Sequence, residues 1–65
     1  MSEFSEKLKE LRIATGMSQQ ALADRMQIPK RTLQSWEIGD RSAPPYVQRF
    51  VINELQSIID EISKN

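Results

Sequence analysis

Lys30, Arg31, Gln34 and Ser35 carry the most chemistry in this chain. Lysine and arginine donate well to paired acceptors such as guanine O6 and N7, and a glutamine carboxamide pairs bidentately with an adenine edge. Spacings of one, three and four residues put the set on one side of a helical turn. Cations at a helix start are disfavoured by the helix dipole, so Lys30 and Arg31 there favour an anionic partner outside the chain over two merely solvated charges. Other chemistry is poorly supplied. The 65 residues hold no histidine and no cysteine, which removes the usual general base near neutral pH, a disulfide framework and zinc of the common type. There is no glycine-rich phosphate loop, and Asp60 and Glu61 are adjacent, so on a helix their carboxylates diverge. An enzyme is not expected, and neither a cofactor nor a metal.

Two short helices must position that set. Ser18 can cap the first by accepting from a backbone N–H, and Leu22, Ala23 and Met26 then share one face. Gln27-Ile28-Pro29 breaks the pattern, because a residue before proline avoids helical dihedrals. The second helix starts at Pro29 or Lys30, buries Leu33 and Trp36, and turns the four polar residues outward until Gly39 ends it. Two helices at a steep angle, the second showing basic and amide groups, match the geometry of a helix-turn-helix.

The rest of the chain reads as helix too. A first helix begins at Ser2 or Phe4, carries Phe4, Leu8 and Leu11 at spacings of four and three, and stops near Gly16; Met17 then tucks under the domain. The second and third run about 19–26 and 30–38. Asp40 to Pro45 is loop by composition, and a last helix starts near Pro45. Tyr46, Val47, Phe50, Val51, Leu55, Ile58, Ile59 and Ile62 form its apolar stripe. No strand pattern, repeat or low-complexity linker interrupts, so the expectation is one all-α domain over 1–65, its core about 4–55 and 56–65 a helical extension. No run approaches the roughly 20 apolar residues of a membrane span, and MSEFSEKLKE is too charged for a signal peptide. A cytoplasmic domain is expected.

Net charge is zero, nine basic residues against nine acidic, where nucleic-acid binders are often strongly basic. The distribution matters more. Lys30, Arg31, Arg41 and Arg49 lie mid-chain against Glu37 and Asp40, while the last sixteen residues carry Glu54, Asp60 and Glu61 against Lys64. A basic face with an acidic back and a well-mixed surface both fit these counts.

Over residues 6–50 the chain resembles the Cro/repressor, or XRE, helix-turn-helix family. Leu8, Leu11, Arg12, Gly16, Ser18, Gln19, Leu22, Ala23, Leu33, Trp36, Glu37 and Gly39 stand where members of that family usually have such residues. Two positions depart: Gln27 stands where the turn usually has glycine, and Asp40 where a basic residue often follows Gly39. The resemblance implies a compact bundle of four to five helices of the phage-repressor type, with a long C-terminal helix, that binds double-stranded DNA as a small transcriptional regulator. It implies base contacts from Lys30, Arg31, Gln34 and Ser35, and phosphate contacts from Ser18 and Gln19. Arg41 and Arg49 are candidates for further phosphate contacts, since a long flexible cation needs only proximity. The resemblance also implies a structural ion pair between Arg12 and Glu37. Leu55, Ile58, Ile59 and Ile62 fit either an intramolecular fold-back or a subunit contact, the latter favoured because a homodimer on DNA would place two recognition helices about 34 Å apart. An antitoxin-like module that binds another protein through the same segment, with DNA binding for autoregulation, is the second reading.

Overall fold

Short-range signals fix where each helix begins and ends. The computed structural model describes residues 3–64, and these form α1 (Glu3–Thr15), α2 (Gln19–Met26), α3 (Lys30–Ile38) and α4 (Pro45–Ser63). The expectation that Ser2 starts the first helix lies outside the described residues. Gly16 leaves α1 at a positive φ of 77°, where a side chain would be strained. Ser18 caps α2: its Oγ accepts from the N–H of Ala21 at 3.0 Å. Pro45 occupies the first turn of α4, where its missing N–H is not needed.

The corner between α2 and α3 is a Schellman turn built without glycine. Gln27 sits in the left-handed region (φ 58°, ψ 43°). Its N–H donates to the carbonyl of Asp24 at 3.2 Å, and the N–H of Ile28 donates to that of Ala23 at 3.0 Å. These two bonds satisfy carbonyls at the end of α2. Ile28 then packs against the core, and Pro29 holds the extended conformation from which α3 departs. Residue types with a Cβ resist the left-handed region by about 1–2 kcal/mol, so the corner is held against some strain by the packing on either side.

Each helix supplies one leucine with no accessible surface: Leu8, Leu22, Leu33 and Leu55. Phe4, Ala23, Ala43, Val51 and Ile58 complete the buried core, with Met17 and Trp36 packed at its edge. The most extensive helix pairing is between α1 and α4, followed by α1 with α3 and α2 with α3. Ala43 is buried in the loop before α4, and Gln48 clamps that loop by donating from Nε2 to the Ala43 carbonyl at 2.8 Å.

The apolar stripe of α4 is narrower than its composition suggests. Val51, Leu55 and Ile58 are buried, and Val47 and Ile59 partly so. Tyr46 and Phe50 are 68% and 59% exposed. At 3.6 residues per turn they fall about 100° or more from the Val51–Leu55–Ile58 line and point away from α1. Ile62 lies on the line yet is 51% exposed. α4 is also the longer helix, its 19 residues spanning about 28 Å against about 20 Å for the 13 residues of α1. Of the four residues for which a fold-back or a subunit contact was expected, Leu55 and Ile58 belong to the core of their own chain, Ile59 is half-buried and Ile62 is exposed.

Two stability changes follow. Gln27→Gly should stabilise the domain by about 1 kcal/mol by removing left-handed strain. Urea unfolding would show it as a raised midpoint at unchanged slope. Leu55→Ala should remove about 2–5 kcal/mol, independent of protein concentration because the lost contacts lie within one chain. Thermal unfolding over a hundredfold concentration range checks this.

Candidate nucleic-acid interface

The outward side of α3 is set by what its inward side must bury. Leu33 and Glu37 are buried and Trp36 is half-buried, its ring edge-to-face with Phe4 at 6.2 Å and 64°. Lys30 and Arg31 are consequently exposed at the start of the helix, and Gln34 and Ser35 half-buried one turn on. Pro29 precedes them with no side-chain cap hydrogen bond, so the N-terminal end of α3 carries its partial positive charge beside two cations. Ile38 is 69% exposed and, seven residues after Arg31, continues the same face. The apolar count over 30–38 hides this residue; its spacing from Arg31 was the signal that could have revealed it.

A buried carboxylate fixes how α3 sits. Arg12 grips Glu37 through both oxygens, Nε donating to Oε2 at 2.7 Å and Nη2 to Oε1 at 3.1 Å. The side chains are 15% and 4% exposed. The remaining Nη1 of Arg12 donates to the Met17 carbonyl at 3.1 Å, which ties the α1–α2 turn to the same pair. Thr15 Oγ1 braces that turn, donating to the Arg12 carbonyl and accepting from the N–H of Met17. Gln19 at the start of α2 donates to Glu37 Oε1 at 3.3 Å, and Gln34 Nε2 donates to Gln19 Oε1 at 3.4 Å. The two amides therefore bridge α2 and α3, a contact that spacing along the chain did not announce.

The remaining cations divide between two places. Arg41 joins Arg31, Ser35, Trp36 and Ser42 around a polar cleft between α3 and the loop after it. Asp40 lines that cleft as well. Arg49 lines a different groove, with Glu3, Lys7 and Ile52 between α1 and α4. Ser18 stands at the N-terminus of α2, its hydroxyl engaged in the cap. Arg25 pairs on the outer surface with Glu54 at 3.5 Å and Glu61 at 4.0 Å on α4, so two acidic residues of the C-terminal half are turned to that side.

A Helix-turn-helix family model, of the Cro/repressor or XRE type, matches residues 8–47. The chain belongs to this helix-turn-helix family. The matched span runs from Leu8 in α1 to Val47 in the first turn of α4 and encloses the Arg12–Glu37 pair, the α2–α3 corner and the outward face of α3. No curated protein and no solved structure matches the chain. Family membership makes this a DNA-binding helix-turn-helix regulator whose partner is double-stranded DNA, in an all-α bundle. The family is typically non-enzymatic. None of the described helices is long and apolar enough to cross a membrane.

Removing one side of the helix-turn-helix ion pair isolates the other. Arg12→Ala should destabilise by about 3 kcal/mol, because the Glu37 carboxylate stays buried with little more than Gln19 to satisfy it. Replacing both residues by leucine should restore part of that loss. Chemical denaturation of both variants measures the difference.

Proposed function

We propose that this chain is a sequence-specific regulator that occupies an operator by inserting α3 into the major groove of duplex DNA. The observation that carries the reading is the exposed N-terminal end of α3, where Lys30 and Arg31 pair with no acid among the described residues while the opposite face of the helix is locked into the core. N-terminal residues of a recognition helix are the ones that meet base edges in this geometry. Lys30 and Arg31 serve as donors to guanine, Gln34 as a partner for adenine, and Ser35 as an adaptable hydroxyl.

Backbone contacts surround that reader. Ser18 and Gln19 bring the N-terminal end of α2 toward a phosphate, where unpaired N–H groups and the helix dipole favour an anion. Arg41, beside Arg31 in the same cleft, supplies a second phosphate contact. Arg49 lies in another groove and contributes general positive potential rather than a contact next to α3. One reading helix covers few base pairs, so two copies sit on a two-fold site with their α3 helices about 34 Å apart. A cytoplasmic location accords with this role.

Selection of bound duplexes from a random pool should yield a symmetric site. Binding to that site should weaken steeply as salt rises, log K falling by about 0.9 per phosphate neutralised for each unit of log salt. Changing Lys30 and Arg31 together to alanine should cut preference for the selected site over random duplex by about a hundredfold or more, two base contacts at about 1–3 kcal/mol each. Circular dichroism should stay unchanged, since both side chains are exposed. A double variant that discriminates as the parent does would remove α3 from the reading role.

A further inference from the structure

The loop that leaves α3 holds an acid beside the reading helix. Gly39 ends α3 in the left-handed region at φ 88°. The N–H groups of Gly39, Asp40 and Arg41 then all donate to the Ser35 carbonyl, at 3.1, 3.0 and 3.4 Å. These bonds pin the Asp40 backbone beside the last turn of α3, and its side chain is exposed. The residue lines the same polar cleft as Arg31 and Arg41. Its carboxylate pairs with no cation and accepts no hydrogen bond among the described residues. An anion just past a helix C-terminus also opposes the helix dipole. Asp40 thus does nothing for the stability of its own loop. Its charge is left to act on whatever enters the cleft, where it halves the net positive charge that two arginines would give.

That charge weighs differently on the two ways the chain can meet a duplex. Binding to random duplex draws nearly all its affinity from phosphates. With no base contact to fix its register, the chain settles where its cations approach the backbone most closely. A phosphate seated in the cleft beside Arg31 and Arg41 then meets Asp40 as well. On an operator, base contacts from Lys30 and Arg31 hold α3 in one register and set how near the cleft comes to the backbone. Arg41 still reaches a phosphate from there, because its side chain is long and flexible, whereas the short side chain of Asp40 stays near its own backbone. We propose that Asp40 determines specificity by repulsion: it weakens phosphate-driven binding to random duplex more than binding to the operator. A protein raises its discrimination by penalising the wrong partner as well as by holding the right one. Against a genome of competing sites, that ratio counts for more than affinity alone. The inference rests on α3 being the reading helix.

Affinities of the parent chain and two variants for the selected duplex and for a random duplex of equal length test it, each at low and high salt. Asp40→Asn keeps the shape and removes the charge. It should raise affinity for random duplex about tenfold and for the selected site about threefold, so that preference falls by about threefold. Both gains should shrink at high salt, as effects between exposed charges do. Asp40→Glu keeps the charge and should hold the parent's preference to within about twofold. The thermal midpoint of Asp40→Asn should match or exceed the parent's, which separates a lost repulsion from a lost structural contact. Equal gains on both duplexes would make Asp40 a setter of affinity alone and overturn the inference. A loss of affinity for either duplex, or no change for both, overturns it as well. A parent chain that selects no site overturns the reading of α3 itself, which is a different result from a defined site whose preference ignores Asp40.

Discussion

Three helices meet at a single buried carboxylate. Glu37 stands near the end of α3 with its side chain 4% exposed, and a charge so placed is stable only where donors surround it. Arg12 reaches it from α1 and Gln19 from α2. The same guanidinium holds the Met17 carbonyl in the α1–α2 turn. Because a bidentate arginine–carboxylate pair is planar and directional, these bonds constrain the rotation of α3 as well as its distance from the scaffold. A pair of leucines could fill comparable space, but would leave that rotation to packing alone. The value of the ion pair lies in geometry more than in net stability, since much of its Coulomb gain offsets desolvation.

The surface that results is local in character. The molecule as a whole carries no net charge, yet Lys30 and Arg31 stand together at the start of α3, and Arg41 shares a cleft with Arg31. Glu54 and Glu61 are turned toward Arg25 at the outer surface of α2 and α4. Charges separated by more than about 8–10 Å are largely screened at ordinary salt, so a phosphate near α3 feels Lys30, Arg31 and Arg41, offset in part by Asp40 of the same cleft, more than charges farther away. Neutral composition and a DNA-binding face are compatible for that reason.

Small size sharpens the demands on each residue. One leucine per helix forms the fully buried centre, and a domain of this length holds little stability in reserve. It nevertheless keeps Gln27 in the left-handed region and a charge pair in its interior. Both features sit next to the elements that aim α3: the first at the corner from which it starts, the second near its end. Strain and buried polarity are thus concentrated where orientation matters, while the α1–α4 pairing supplies apolar burial.

Much of this was written into local sequence. Ser18 as cap, Gly16 and Gly39 as terminators, Pro29 before α3 and Pro45 opening α4 each act through backbone sterics within a few residues, and α2 and α3 fall where those signals put them. Apolar residues along α4 likewise marked a stripe that includes Val51, Leu55 and Ile58. Composition could not say where that face would find a partner. Tyr46 and Phe50 belong to the same stripe by composition yet lie off the line of Val51, Leu55 and Ile58, and Ile62 lies on that line yet stays exposed. Nor could spacing show that Gln19 and Gln34, fifteen residues apart, would hydrogen-bond across a corner, or that Ile38 would continue the outward face. Helix boundaries depend on neighbours along the chain, so the sequence alone determined them; which side chains meet depends on how the helices cross, and only the tertiary structure decided that.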